Sequence, residues 1–263
     1  VARVLKATHD FIEKWQVPTQ NCVLAHVTTQ MEAIRQGAPA DLMFQSIAGT
    51  EKANRSFGIS AALLEEADAL MKAKSTSKGP HKFYFETGQG SELSAGAHYD
   101  MDQVTLEARN YGFARHFNPF LVNTVVGFIG PEYLYDNTQV TRAGLEDHFM
   151  GKLHGLPMGV DVCYTNHMHT DQNDNENLGA LLTAAGVNFV IAAPLGDDVM
   201  LNYQSLSYHD IPTLQTIYQK TATPAFRKWL EEMRIQEDGL FTARGGDLTI
   251  FDEVGDQHEK RIS

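Results

Sequence analysis

Two carboxylates stand in places where an acid needs a reason. Glu86 follows a run of aromatic residues and precedes a glycine-rich loop in FYFETGQGSELSAG, and Asp161 interrupts an apolar run in MGVDVCYTN. A carboxylate so placed is partly desolvated, and it either pairs with a cation or takes up a proton. The plainer alternative for Glu86 is a strand-end acid bonded to the backbone amides of its own loop. Two carboxylates at one mouth point to a positively charged ligand, either a metal ion or an amine. A second candidate set lies in YTNHMHTDQNDNEN, where His167, His169, Asp171, Asp174 and Glu176 crowd together. A His-x-His pair on a strand presents two imidazoles to one ion, as a metal-dependent hydrolase needs. The His pair falls after the last apolar residue, however, and an Asp/Asn run before NLGALL is also ordinary N-capping of the next helix.

Neutral candidates complete the inventory. Gln45, Ser46 and Ser94 sit near strand ends and suit an uncharged polar cofactor or nucleoside, although a serine in a glycine-rich loop is also common turn chemistry. Phe128 and Met200 either pack the core or touch a ligand. GSELSAG lacks the Gly-Lys-Ser/Thr ending of a phosphate loop, and no GxSxG nucleophile elbow occurs.

These residues must be carried by something regular. Short apolar runs at 22–28, 41–47, 82–88, 121–129, 160–166 and 188–194 predict six strands. Between them ISAALLEEADALMKA, DQVTLEARNYGFARHF, TRAGLEDHFMGKL and NENLGALLTAAG have helical periodicity. Strands that are almost continuously apolar are buried on both faces, as in a parallel sheet flanked by helices. An open doubly wound sheet and a closed (β/α)8 TIM barrel compete for this pattern. The barrel is favoured because polar residues recur at the end of strand after strand and no GxGxxG follows the first one. The expected organisation is a partial barrel over residues 1–215 and a helical extension with a charged tail over 216–263. That extension contains TPAFRKWLEEM, with Thr223 at the N-cap and Pro224 at the first helical position. The final FDEVGDQHEKRIS has no core pattern and is expected to fray.

Composition bounds the function. The 263 residues hold 21 Lys and Arg against 33 Asp and Glu, a net charge of -12, which excludes a nucleic-acid backbone or an anionic membrane surface as partner. No apolar run approaches the roughly 20 residues that span a bilayer, so a soluble protein is expected. The two cysteines, Cys22 and Cys163, form no CxxC pair, which fits a reducing cytoplasm rather than a disulfide framework.

The longer strings carry a resemblance. PTQNCVLAHVTTQMEAIRQGAP, FYFETGQGSELSAGAH, ARNYGFARHFNPFLVNTVVGFIGPEYLY, RAGLEDHFMGKLHGLPMGVDVCYTNH and DQNDNEN, followed by PLGDDVMLNYQSLSYHD, are similar to the large subunit of ethanolamine ammonia-lyase from about residue 1 to 243. The resemblance implies a (β/α)8 barrel that uses adenosylcobalamin to convert ethanolamine to acetaldehyde and ammonia. It implies a small subunit and further large subunits as partners, and a bacterial cytoplasm, within an ethanolamine-utilisation microcompartment, as location. It assigns Glu86 and Asp161 to the substrate ammonium as the catalytic pair, and Phe128 and Ile191 to the pocket wall. Gln45, Ser94 and Met200 match positions that contact adenosylcobalamin, with Ser46 near its adenosine; no other metal is implied.

Two positions depart from the family. Ile191 stands where a pocket Met is expected, an apolar change that mainly reshapes the wall. Ser56 stands where some members carry a Glu directed at the ribose, which puts that contact in doubt. The family also places substrate-binding Arg, Gln and Asn residues on two earlier barrel strands. The six units here then correspond to strands three to eight, and the chain is expected to be a C-terminal portion, inactive alone or serving only in assembly. An opening helix with no initiator Met agrees with that expectation, and two unpaired sheet edges predict that the isolated chain aggregates.

Overall fold

The computed structural model describes residues 1–89, 91–127, 134–165, 168–198 and 203–252, without the side chains of Ser94, Asp198 and Tyr203. Helices α1 (Ala2–Trp15) and α2 (Val27–Arg35) lead to strand β1 (Met43–Ser46), after which α3 (Glu51–Ser56) and α4 (Ala61–Lys74) return the chain to β2 (Phe83–Thr87). The alternation continues through α5 (Ser91–Ser94), α6 (Gln103–His116), β3 (Leu121–Val125), α7 (Asn137–Leu153), β4 (Met158–Asp161), the short β5 (Tyr164–Thr165) and α8 (Gln172–Ala184). Then come β6 (Phe189–Ala193), the short strands β7 (Asp197–Asp198), β8 (Tyr203–Gln204) and β9 (Leu206–Ser207), and helices α9 (Asp210–Ile217) and α10 (Pro224–Glu232).

Six strands form one parallel sheet in the order β1-β2-β3-β4-β6-β9, an α/β fold consistent with part of a (β/α)8 barrel. The registers show why the strands read as buried on both faces. Met43, Phe83, Phe85, Val122 and Met158 point to the helices and pack with Met31, Ile34, Leu64, Met71 and Tyr111 of α2, α4 and α6. Farther along the same side, Val160 and Leu206 pack with Val140, Leu178 and Leu182 of α7 and α8. Removal of each such side chain from water contributes about 1.5–3 kcal/mol, so this layer fixes which way each strand faces. By alternation the opposite face carries Phe44, Ser46, Tyr84, Glu86, Asn123, Gly159, Asp161 and Ile191.

The expected strand at 22–28 is not one: those residues approach and enter α2, whose buried side chains Val27, Gln30, Met31 and Ile34 follow helical spacing. An apolar run cannot by itself separate a strand from a helix entry. The sixth strand is instead β9, two residues paired with Ala192 and Ala193, too short to leave a periodic signal. The expected strand at 160–166 divides into β4, which starts earlier at Met158, and β5, which pairs with β8 in a separate antiparallel sheet with β7.

The helix starts follow capping chemistry. Thr50, Ser60, Asp102 and Asp136 each accept a hydrogen bond from a first-turn backbone N–H. Near the end of the chain, Pro224 opens α10 as expected, and the Trp229 indole N–H donates to the Trp15 carbonyl at 2.8 Å. The extension thereby packs on α1, where Phe251 also meets Phe11 and Trp15 edge-on. The expected boundary at residue 215 falls inside α9. Residues 253–263 of the tail lie outside the described residues.

Candidate active site

Glu86 and Asp161 project from the same face, two strands apart, with β3 between them. At about 4.8 Å per strand step, a ligand that touches both must lie over Asn123 and Val125. Each carboxylate is held by a serine from farther out in the sheet, one strand away for Glu86 and two for Asp161. The Ser46 hydroxyl on β1 donates to Glu86 Oε2 at 2.8 Å, and the Ser205 hydroxyl, just before β9, donates to Asp161 Oδ1 at 2.9 Å. Desolvation by burial pushes the Glu86 carboxyl above the usual carboxylate range, and the Ser46 hydrogen bond offsets part of that rise. A cation beside Glu86 would favour its ionised form.

Tyr84 lies two residues before Glu86 on the same strand face. Its hydroxyl is pushed well above the usual tyrosine range by burial first, and then by the charges of Glu86 and Asp161. It stays protonated at neutral pH and can only be a donor or neutral acceptor. Asn123 is buried between the two acids, and its Oδ1 has no hydrogen-bond partner among the described residues. Gly159 beside it has no room for a Cβ, because the Phe189 ring occupies that space.

Ser46, Glu86, Asp161 and Ile191 thus share one face, as their sequence roles require. Gln45 lies on the other face. Its Oε1 accepts from the Val27 backbone N–H at 2.8 Å and its Nε2 donates to the Ser46 carbonyl at 3.0 Å, so its amide helps to start α2. Ser56 sits on α3 with its hydroxyl turned back to the Ala53 carbonyl at 2.7 Å. Phe128, His167 and Met200 lie outside the described residues, as does the side chain of Ser94. A small pocket is lined by Glu86 itself together with Ser46, Phe57, Gly88, Ser91 and Val125.

Among the described residues, the candidate metal ligands have other partners. Asp171 and Asp174 form a capping box at the start of α8, and Thr170 donates to Asp174 at 3.1 Å. His169 Nε2 is 2.9 Å from the Tyr135 hydroxyl, and the two rings stack. Among the described residues no group of three His, Cys, Asp or Glu side chains could hold a metal ion. A larger groove runs between α6 and α7, lined by Val104, Leu145, Phe149 and Leu153. It lies on the outer helices and gathers no part of the carboxylate site.

Sequence reasoning passed over Ser205, Tyr84 and Asn123. The last two follow from alternation with Glu86 once the register is known, whereas Ser205 required knowing that β9 is a strand.

Comparison with known proteins follows the same line. Residues 1–244 match the family model described as Ethanolamine ammonia lyase large subunit (EutB). The ethanolamine ammonia-lyase large subunits of Salmonella typhimurium and Escherichia coli K12 are each 57% identical to this chain over 251 residues, 95% of its length. The chain spans 55% of the length of each of these relatives.

Proposed function

Because the chain belongs to the ethanolamine ammonia-lyase large-subunit family, we propose that it is the part of a large subunit that grips the amine of ethanolamine during its conversion to acetaldehyde and ammonia. The observation that carries this reading is the pair Glu86 and Asp161 on one strand face, each fixed by a serine hydroxyl. An ammonium has three N–H donors, and two carboxylates two strands apart offset the cost of taking it out of water. As the carbon–nitrogen bond breaks, the same carboxylates favour positive charge on the departing amine. Ile191, on the same face, is proposed as an apolar wall beside them, a role also proposed for Phe128.

Adenosylcobalamin is the proposed cofactor, and when bound it supplies the radical chemistry that removes hydrogen from the substrate carbon. Ser46 and Ser91, beside Glu86, offer hydroxyls to its uncharged nucleoside portion. Ser94 and Met200 are proposed to complete that contact. The Gln45 amide would reach it only by leaving the bonds that start α2. The proposed partners are a small subunit and further large subunits, and the proposed location is the bacterial cytoplasm, within an ethanolamine-utilisation microcompartment. Among the described residues no helix is long and apolar enough to cross a membrane.

The test is a full-length large subunit with this sequence, assembled with the small subunit and adenosylcobalamin, and assayed for ammonia and acetaldehyde from ethanolamine. Coenzyme-dependent release of both is expected. No release from a correctly assembled preparation overturns the reading.

A further inference from the structure

Asp161 is fixed from an unexpected direction. The hydroxyl that donates to its Oδ1, at 2.9 Å, belongs to Ser205, which is only 2% exposed and precedes the last strand of the sheet. The Ser205 backbone is held on both sides. Its N–H donates to the Gly196 carbonyl at 2.8 Å, and its carbonyl accepts from Gln172 Nε2 of α8 at 3.1 Å. The preceding residue is fixed as well: the Tyr164 hydroxyl donates to Gln204 Oε1 at 2.5 Å, and Asn175 Nδ2 donates to the Gln204 carbonyl at 3.2 Å. Gly196 permits the approach, with φ +81° and a position where a Cβ would stand 2.9 Å from the Ser205 carbonyl oxygen. A backbone held in this way delivers the Ser205 hydroxyl to Asp161.

We infer that Ser205 is a positioning residue for the amine site: its hydroxyl sets the rotamer of Asp161 and turns that carboxylate toward the substrate ammonium, as Ser46 does for Glu86. The inference rests on the reading of Asp161 as an ammonium acceptor. It assigns a task to the last strand and to the first turn of α8, neither of which carries a substrate-facing residue of its own among those named above.

The experiment uses the assembled full-length enzyme with ethanolamine as the varied substrate. Ser205→Ala is expected to lower kcat/KM about tenfold, the worth of one charge-assisted hydrogen bond, chiefly through KM. In an Asp161→Asn background the same change should add less than about twofold, because a residue that acts through Asp161 has nothing left to orient. Ser205→Thr, which keeps the hydroxyl, should hold KM near the wild-type value, while the isosteric Ser205→Val should not. An unchanged KM in Ser205→Ala, a fully additive loss in the double variant, or equal behaviour of Thr and Val overturns the inference. An Asp161→Asn enzyme with wild-type kinetics instead overturns the assignment of Asp161, and the inference falls with it.

Discussion

The inner face of the sheet and its helix side both hold pairs of carboxylates, and they treat them in opposite ways. On the inner face Glu86 and Asp161 sit two strands apart, each with a hydroxyl donor, and a cationic ligand can stand between them. On the helix side Glu107 of α6 and Asp147 of α7 are fully buried. Asp147 accepts from the Thr124 hydroxyl at 2.6 Å and from Gln89 Nε2 at 2.8 Å, and Glu107 accepts from Asn110 Nδ2 at 3.0 Å. Burial and then repulsion from Glu107 push Asp147 well above the usual carboxylate range, and burial pushes Glu107 up to about 7. Such a pair does not hold two negative charges at neutral pH and shares protons instead. Carboxylates therefore suit a cation only where they are separated and reachable; buried behind the sheet among amide and hydroxyl donors, they take up protons more readily.

The largest expected effect falls on the inner pair. Glu86→Gln or Asp161→Asn in the assembled enzyme should lower kcat/KM about a hundredfold or more, the range for removing one partner of a buried charge contact, while the melting temperature holds. Glu107→Gln should leave turnover near wild type. If the two regions lose activity equally, the distinction between them is broken.

Stability should respond in the reverse manner. Because the folded-state pKa of Glu107 is raised, its contribution is fully present below the ordinary carboxylate range and is lost as pH rises through about 7. Denaturant unfolding between pH 5 and 8 should thus show stability falling by on the order of 1–3 kcal/mol, and Glu107→Gln should flatten that slope. A slope that survives the substitution would place its origin elsewhere.

A smaller change sharpens the inner face alone. Ser46→Ala removes the bond that restrains Glu86, so its pKa should rise further and the acid limb of the kcat/KM profile should move to higher pH. An unmoved acid limb would show that Ser46 packs without tuning Glu86.

The comparison also explains which features could be read in advance. Asp161 stood out because an acid amid MGV and VCY is conspicuous, and Glu86 because it ends a run of aromatics. Asp147 and Glu107 gave no such signal: each lies on a helix among other charged residues, and only the packing of α6 and α7 on the sheet buries them. Gln45 and Ser46 looked equivalent as neighbours near a strand end, but alternation sends one to α2 and the other to Glu86.

The sequence by itself determined the α/β alternation, five of the six parallel strands, the acidic cap that starts α8, the family, and the two acids proposed to hold the amine. These follow from local periodicity and from residue types that are costly to bury. The tertiary structure decided that 22–28 enters a helix, that residues 206 and 207 complete the sheet, and that Ser46 and Ser205 are the donors holding those acids. The reason is distance along the chain: Ser205 meets Asp161 across 44 residues and Ser46 meets Glu86 across 40. Hydrogen bonds of that span are set by how the sheet and its connecting segments pack, which the local sequence around either residue does not reveal.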